Sequence, residues 1–280
     1  MPDVGHVLRQ PQQQLLGGFP PLVHTTAKQY NNKVQHRLAQ LRYFNPNASI
    51  FFYDDNQAGD YIRQHFDATH YATFRMLQHG AHKADFFRYC ILYKLGGYYI
   101  DLDNEPIAPL HECTKNAGSA TMVSVYAHGA HCGSDCSEES PDFMGNARAV
   151  MVPRCEACAH IHNGFIATRK GSNLLTNLIA YMISHPNPSN VSVPWCIQPF
   201  HLYVRQWYVY MLNQLKVSHL TPNTLYNLTA RVAPGTAGSW FPAGSWFPAM
   251  AAAQERVYLI DANNVGHTSR TGCYRMSDKV

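Results

Sequence analysis

The run His82 to Asp103, HKADFFRYCILYKLGGYYIDLD, restricts the fold more tightly than any other part of this 280-residue chain. Phe87, Ile91 and Leu95 recur at i, i+4 and i+8, with Phe86 and Cys90 widening the stripe, so the spacing predicts a helix from Ala81 to Leu95 that turns one face inward. Asp85 and Arg88 fall on a different face, one turn apart, where they form either an ion pair worth about 0.3 kcal/mol or part of a binding site. Gly96-Gly97 stops the helix, with Gly96 in the left-handed cap, and sends the chain into the alternating segment Tyr98 to Asp103. On a strand with about 3.3 Å of rise per residue, Asp101 and Asp103 leave on the same side roughly 7 Å apart. Partly buried without a counter-charge, such a pair costs several kcal/mol or takes up a proton; a divalent cation carrying a polyphosphate makes it favourable. Helix, tight turn, buried strand and acidic exit together describe the carboxyl end of a strand in an α/β sheet, where such sheets bind ligands.

The pattern Asp85-x-x-Arg88, Leu95-Gly96-Gly97-Tyr98-Tyr99-x-Asp101-x-Asp103 resembles the glycosyltransferases that carry a DxD sugar-binding region (family 32-like), which include yeast-type mannosyltransferases. More distantly it is similar to the glucosylating clostridial toxins. The resemblance implies an α/β fold of the GT-A type: a Rossmann-like nucleotide-binding sandwich with a mixed central sheet and acceptor-side helices toward the C-terminus. It also implies manganese or magnesium held against the donor diphosphate. Carried onto this chain, it makes Asp103 the direct metal ligand and places Asp101 on the ribose and on metal-bound water. Asp85 and Arg88 then grip the donor sugar, beside Gly97 and Tyr99. Relatives more often have Ser where this chain has Ala84, so one hydroxyl contact of the family is missing here.

Other segments extend that expectation. Phe19 to Thr26 looks like the family's opening strand, with His24 and Thr25 at the nucleoside pocket. Ala48 to Tyr53 reads as the next strand, closed by Asp54-Asp55-Asn56 as a turn. Ile161 to Thr168 resembles the family's amide-bearing strand, which makes Asn163 an acceptor-side candidate, and a helix is expected from Ser172 to Ser184. After a strand over Arg256 to Ile260, His267 resembles the late histidine of related families and is the candidate third metal ligand; Arg270 is placed to meet the diphosphate. Trp195 is a candidate for stacking on an acceptor sugar, ahead of an aromatic-rich helix from about Pro199 to Lys216. A duplicated hexapeptide, Gly238-Ser-Trp-Phe-Pro-Ala and its copy from Gly244, reads as a tolerated insertion or a closing loop.

With 46% apolar residues the chain can bury one substantial core. The expected organisation is a flexible tail over 1–18 and a single catalytic domain over 19–280. Within it, residues 19–125 form the nucleotide-sugar half and 126–280 the acceptor half, with a Cys/His-rich loop at 128–162 and a metal-binding loop at 261–272. A net charge of +4, with only 14% charged residues, argues against nucleic acid or an anionic membrane as partner. No apolar run approaches a membrane span, and the N-terminal region lacks the order of a signal peptide. The chain is therefore expected to be soluble and cytosolic, with a luminal location as the alternative. On that basis the eight cysteines are expected to be mostly reduced. Cys132-x3-Cys136 and Cys155-x2-Cys158, with His128, His131, His160 and His162 nearby, come close to a structural zinc spacing. Sequons stand at Asn47, Asn190 and Asn227 and matter only in a secretory compartment.

The expected reaction is transfer of a sugar from a nucleotide diphosphate to an acceptor hydroxyl on a glycan or glycoprotein. The acidic set is similar to that of enzymes using UDP-sugars, and the short cysteine-bearing chain also resembles glycosyltransferases of large algal viruses, so UDP-xylose is the first named donor and GDP-mannose the alternative. The resemblance implies retention at the anomeric carbon; inversion requires a general base, for which Asp135, Glu138 and Asp142 are candidates, Asp142 also on the acceptor side. Two rival readings are a haloacid-dehalogenase-type phosphatase, whose strand also ends in Asp-x-Asp, and a sugar-binding module without catalysis.

Overall fold

The structure is a computed structural model and describes residues 15–127, 160–184, 211, 215–217, 220–229, 254–262 and 273–276. Its framework is a mixed seven-stranded sheet. Strands β1 (Leu22–Thr26), β2 (Ser49–Tyr53) and β3 (Gly97–Ile100) form a parallel half, with β1 in the middle. β3 then pairs antiparallel with β6 (His160–Thr168), and β6 with β5 (Met122–Ala127). β8 (Gln254–Ala262) runs parallel to β5, and β7 (Thr224–Thr229) closes the row antiparallel to β8. A separate two-stranded ribbon joins β4 (Asn104–Pro106) to β9 (Tyr274–Met276). The mixed α/β architecture expected from the sequence is thus present.

Alternation along the strands builds two cores. Tyr98 and Ile100 face one side, with Val34, Leu38 and Leu41 of helix α1 (Asn32–Phe44) and Leu110 and Cys113 around α5 (His111–Thr114). Tyr99 faces the other, under α2 (Asp55–His65), α3 (Ala68–Met76), α4 (Gly80–Leu95) and α6 (Asn173–Ser184). Helix α4 is the pivot of that layer, because α2, α3, α6, β1 and β3 all pack on it. Phe86 to Leu92 are buried without a break, whereas Leu95 is half out of the core. The inward stripe read from spacing is therefore wider than expected: a helix covered on several sides needs apolar residues on several faces.

Several local features depart from the sequence reading. Asp54 does not sit in a plain turn; it caps α2, accepting from Asn56 N and Gln57 N while Gln57 Oε1 accepts from Asp54 N. Residues 15–18, expected in the tail, are ordered: Leu16 and Phe19 form a bridge, and Tyr98 Oη donates to Leu16 O at 2.6 Å. The N-terminus of α6 is held from β8, where Glu255 accepts from Ser172 Oγ, Leu174 N and Asn173 N. Burial raises the Glu255 carboxyl above its ordinary titration, against the opposing pull of these donors.

The expectation of reduced thiols is corrected at one pair. Cys113 of α5 and Cys273, next to β9, form a disulfide across 160 residues with Cα atoms 5.3 Å apart. The ribbon explains the meeting, since pairing of β4 with β9 brings the C-terminal segment beside α5, and Ile107 N and Ala108 N both donate to Cys273 O. Cys90 is a free thiol buried in α4. Among the described residues no helix is long and apolar enough to cross a membrane.

Candidate active site

Gly96 and Gly97 set the entry to the site. Their φ angles are +69° and +95°, and a Cβ on Gly96 would lie 2.7 Å from Lys170 N, while one on Gly97 would overlap Leu22 O. Only glycine at both positions lets α4 turn straight into a strand lying against β1. Strand β3 ends at Ile100, so the two carboxylates are not both on a strand as the alternation suggested. Asn104 N donates to Asp101 O at 3.0 Å, closing a β-turn over Asp101 to Asn104 with Leu102 buried beneath it. Beyond Tyr99 the pairing with β1 has ended, which frees the chain to turn.

Strand β6 supplies the facing wall through a bulge. Ser124 of β5 pairs with Ile166 and Val125 with His162, which leaves Asn163, Gly164 and Phe165 unmatched on that side. Ser124 Oγ lies 3.1 Å from both the His162 and Phe165 carbonyls, and its hydroxyl bridges the bulge. The looped-out carbonyls are used at once. Gly164 O accepts from Asp101 N and Asn104 Nδ2, both at 2.8 Å, and Asn163 O accepts from Arg88 Nη1 at 2.7 Å.

Arg88 stands at the centre with Asp85, both 3% exposed. Its Nη2 reaches Asp101 Oδ1 at 3.0 Å and Asp85 Oδ1 at 3.3 Å, its Nε donates to Ala84 O, and its guanidinium lies 4.5 Å from the Tyr99 ring centre. Tyr99 Oη donates to Asp101 Oδ1 and sits 2.7 Å from the Thr26 hydroxyl. Asn163 Nδ2 donates to Asp85 Oδ1 at 2.7 Å and to Tyr89 Oη at 3.1 Å. Asp85 Oδ2 is buried and has no hydrogen-bond partner among the described residues. Behind the turn, Arg37 Nε donates to Leu102 O at 3.0 Å and the same side chain faces Glu105, which Arg275 also binds.

The electrostatics follow from this packing. Burial pushes the Asp85 carboxyl up to about 7; Arg88 and the Asn163 amide oppose the rise and Asp101 adds to it. Burial works against the Arg88 charge, but Asp101, Tyr99 and Asp85 outweigh it and hold the guanidinium above its ordinary value. With Asp85 ionised, Asp85 and Asp101 share one guanidinium while Asp103 lies in the same turn as Asp101, so the three carboxylates together with Arg88 carry two formal negative charges. Because the folded titration of Asp85 lies above its unfolded one, its contribution to stability is complete below about pH 4 and is lost as pH rises through about 7. Asp85→Asn is accordingly expected to flatten the melting profile, removing about 2 kcal/mol of pH dependence between pH 5 and 7. Melting curves of both proteins across that range check this, and parallel profiles would contradict it.

The expected site residues are thus partly gathered and partly not. Asp85, Arg88, Tyr99, Asp101 and Asn163 form one connected network, and Asp103 lies in the same turn as Asp101. His24 is fully buried, with Nε2 at 3.2 Å from Gly96 O and its ring against Phe51, and burial lowers its titration to about 4 although the Gly96 carbonyl pulls the other way. It therefore pins the glycine turn as a neutral ring. Thr25 is fully buried as well; Thr26, not singled out from the sequence, is the threonine that reaches the network. Asn163 spends both amide protons on Asp85 and Tyr89 and so supports the acidic set. His267, Arg270, Trp195, Asp142, Asp135, Glu138 and the cysteines at 132, 136, 155 and 158 lie outside the described residues, as do the hexapeptide repeats and all but a few residues of the helix expected at 199–216.

Sequence reasoning missed Tyr89, Arg37, Ser124 and Gly164. The last had a visible signal, an Asn-Gly step inside an otherwise apolar strand. A Cβ on Gly164 would lie 2.5 Å from His162 Nε2 and 2.8 Å from Asp101 Oδ2, so these two polar atoms border the space left by the missing side chain. Gly164→Ala forces the His162 ring and the Asp101 carboxylate to shift, so it is expected to lower the melting temperature somewhat while displacing Asp101 Oδ2. Donor affinity should then fall about ten- to a hundredfold, read by calorimetry; unchanged affinity would show that this space takes no part in binding.

A divalent cation fits these residues. Asp101 and Asp103 offer hard oxygen ligands from one turn, and Asp101 spends Oδ1 on Arg88 and Tyr99, leaving Oδ2 toward the Gly164 space. Among the described residues no three His, Cys, Asp or Glu side chains make a ready metal site.

Residues 31–121 match the family described as "Glycosyltransferase sugar-binding region containing DXD motif". Comparison with curated proteins finds no match. Among solved structures, one described as "PaToxG Glycosyltransferase" aligns over 69% of this chain and 69% of its own, at 11% identity and a TM-score of 0.41.

Proposed function

We propose that this chain, whose residues 31–121 match the glycosyltransferase sugar-binding region containing the DXD motif, moves a sugar from a nucleotide diphosphate to an acceptor hydroxyl with the Asp101–Asp103 turn at the donor diphosphate. One observation carries the reading. Asp85 and Asp101 share a single guanidinium, and one of their oxygens, Asp85 Oδ2, is buried with no hydrogen-bond partner among the described residues. Such an oxygen accepts a hydroxyl proton, and a sugar is rich in hydroxyls.

The residues divide the work accordingly. Asp103 and Asp101 would hold a divalent cation, which when bound neutralises the charge that develops on the departing diphosphate. Asp85 Oδ2 accepts from a donor-sugar hydroxyl and fixes the orientation of the ring. Arg88 acts one step back: with Nε on Ala84 O, Nη1 on Asn163 O and Nη2 on two carboxylates, it has one Nη1 proton left and serves to hold Asp85 and Asp101 in place. Tyr99 and Thr26 lock the other side of Asp101, and Arg37 fixes the carbonyl between the two acids.

UDP-sugars are the preferred donor class, UDP-xylose the first to test, GDP-mannose the alternative, and manganese the first metal. A thermal-shift panel of UDP- and GDP-sugars with and without manganese tests the reading. One donor is expected to stabilise the protein by about 2–3 kcal/mol at a hundredfold excess over its Kd, only with metal, and Asp103→Ala should remove that gain. Stabilisation by no nucleotide sugar, or equal stabilisation of Asp103→Ala, would sink it.

A further inference from the structure

The cysteine and asparagine chemistry outside the active site points to a compartment. The Cys113–Cys273 bond closes a loop of 160 residues, with a Cα separation of 5.3 Å that lies within the range of ordinary bridges. Both residues are buried in the core on the α1 side of the sheet, so the bond is part of the folded body rather than a surface accident. Bridges of this kind persist where thiols are oxidised, and a reducing cytosol opens them.

Two of the three sequons lie on described residues, and both asparagines are exposed. Asn47 stands in the turn between α1 and β2, in Asn47-Ala48-Ser49, and Asn227 stands on β7, in Asn227-Leu228-Thr229. Their positions are complementary. Among the described residues β2 and β7 are the two outer strands of the seven-stranded sheet, at opposite ends of the row. Outer strands present unpaired backbone groups and invite pairing with another chain unless something covers them. On β7, Asn227 shares its face with Leu225, which is 38% exposed, so a bulky polar group at Asn227 would stand over the exposed apolar residue of that edge.

We propose that Asn47 and Asn227 carry N-linked glycans, added in the same oxidising compartment that forms Cys113–Cys273, and that these glycans guard the two sheet edges. In each glycosylation Asn Nδ2 forms a bond to C1 of an oligosaccharide as the C1–O bond to a lipid diphosphate breaks. The lipid diphosphate leaves with the electron pair and Nδ2 gives up one proton. In the cysteine step the two thiols lose two protons and two electrons to a disulfide-bearing oxidoreductase. The active site lies at the carboxyl ends of the parallel strands, among β3, α4 and β6, so neither modification touches the groups that bind donor. The proposal is independent of the sugar-transfer reading.

The test is to produce the full chain behind a secretory leader in eukaryotic cells. In an Asn190→Gln background, which removes the third sequon, treatment with an amidase that removes N-glycans is expected to lower its mass in two steps, one lost in Asn47→Gln and the other in Asn227→Gln. Ser49→Ala and Thr229→Ala abolish the same sequons without touching the asparagines and should reproduce each loss. Under denaturing, non-reducing conditions a thiol reagent is expected to label Cys90 but neither Cys113 nor Cys273 until reductant is added. Fewer than two glycan steps, or labelling of Cys113 and Cys273 before reduction, would overturn the proposal.

Discussion

Replacing Arg88 by Met is expected to cost about 3–5 kcal/mol of folding stability and to abolish sugar transfer. The side chain is buried, and its loss leaves Asp85 and Asp101 without the charge both share. It also frees the Asn163 carbonyl and uncovers the Tyr99 ring. Asp85 would respond by holding its proton to higher pH, which recovers part of the loss. The double variant Arg88→Met/Asp85→Asn should therefore regain a clear share of stability but no activity. Lysine is a poor substitute: its ammonium cannot span Asp85, Asp101 and the Asn163 carbonyl as the planar fork does. Urea unfolding of wild type, single and double variants measures the coupling. Equal stability of single and double variants would show that Arg88 does not compensate Asp85.

The second large effect belongs to the disulfide. Cys113→Ser/Cys273→Ser is expected to lose about 2–5 kcal/mol, because the bond removes loop-closure freedom from the unfolded chain. Reductant should destabilise the wild type by a similar amount and leave the double variant unchanged, which separates bond cleavage from side-chain replacement. Denaturant melts under both conditions read this out. A double variant as stable as the oxidised wild type would mean that the β4–β9 ribbon holds without the bond, through its ladder and the Glu105–Arg275 pair alone.

Much of the acidic core was legible because its parts are close in sequence. Helix spacing placed Asp85 and Arg88 one turn apart, and the double glycine announced the sharp entry into β3. The turn at Asp101–Asn104 was not legible, because alternation continues through Leu102 while the hydrogen bonds that end the strand come from β6. The role of Asn163 was hidden for the same reason, since its partners Asp85 and Tyr89 lie 78 and 74 residues away. Periodicity reports which face a residue takes and says nothing about a partner brought by another strand. The disulfide shows this at its limit: eight cysteines allow many pairings, and only the β4–β9 ribbon selects Cys113 with Cys273.

The unmatched stretch Asn163–Phe165 makes the site a matter of chain length as much as of residue identity. Arg88 reads the carbonyl of residue 163, and Asp101 and Asn104 read that of residue 164; these oxygens belong to the main chain. No side-chain replacement there can delete them. One residue fewer between His162 and Phe165 would. The letters count as well, Asn163 for its hold on Asp85 and Tyr89 and Gly164 for the space beside Asp101, but an insertion or deletion within the stretch is expected to displace both carbonyls at once while the sheet on either side keeps its pairing.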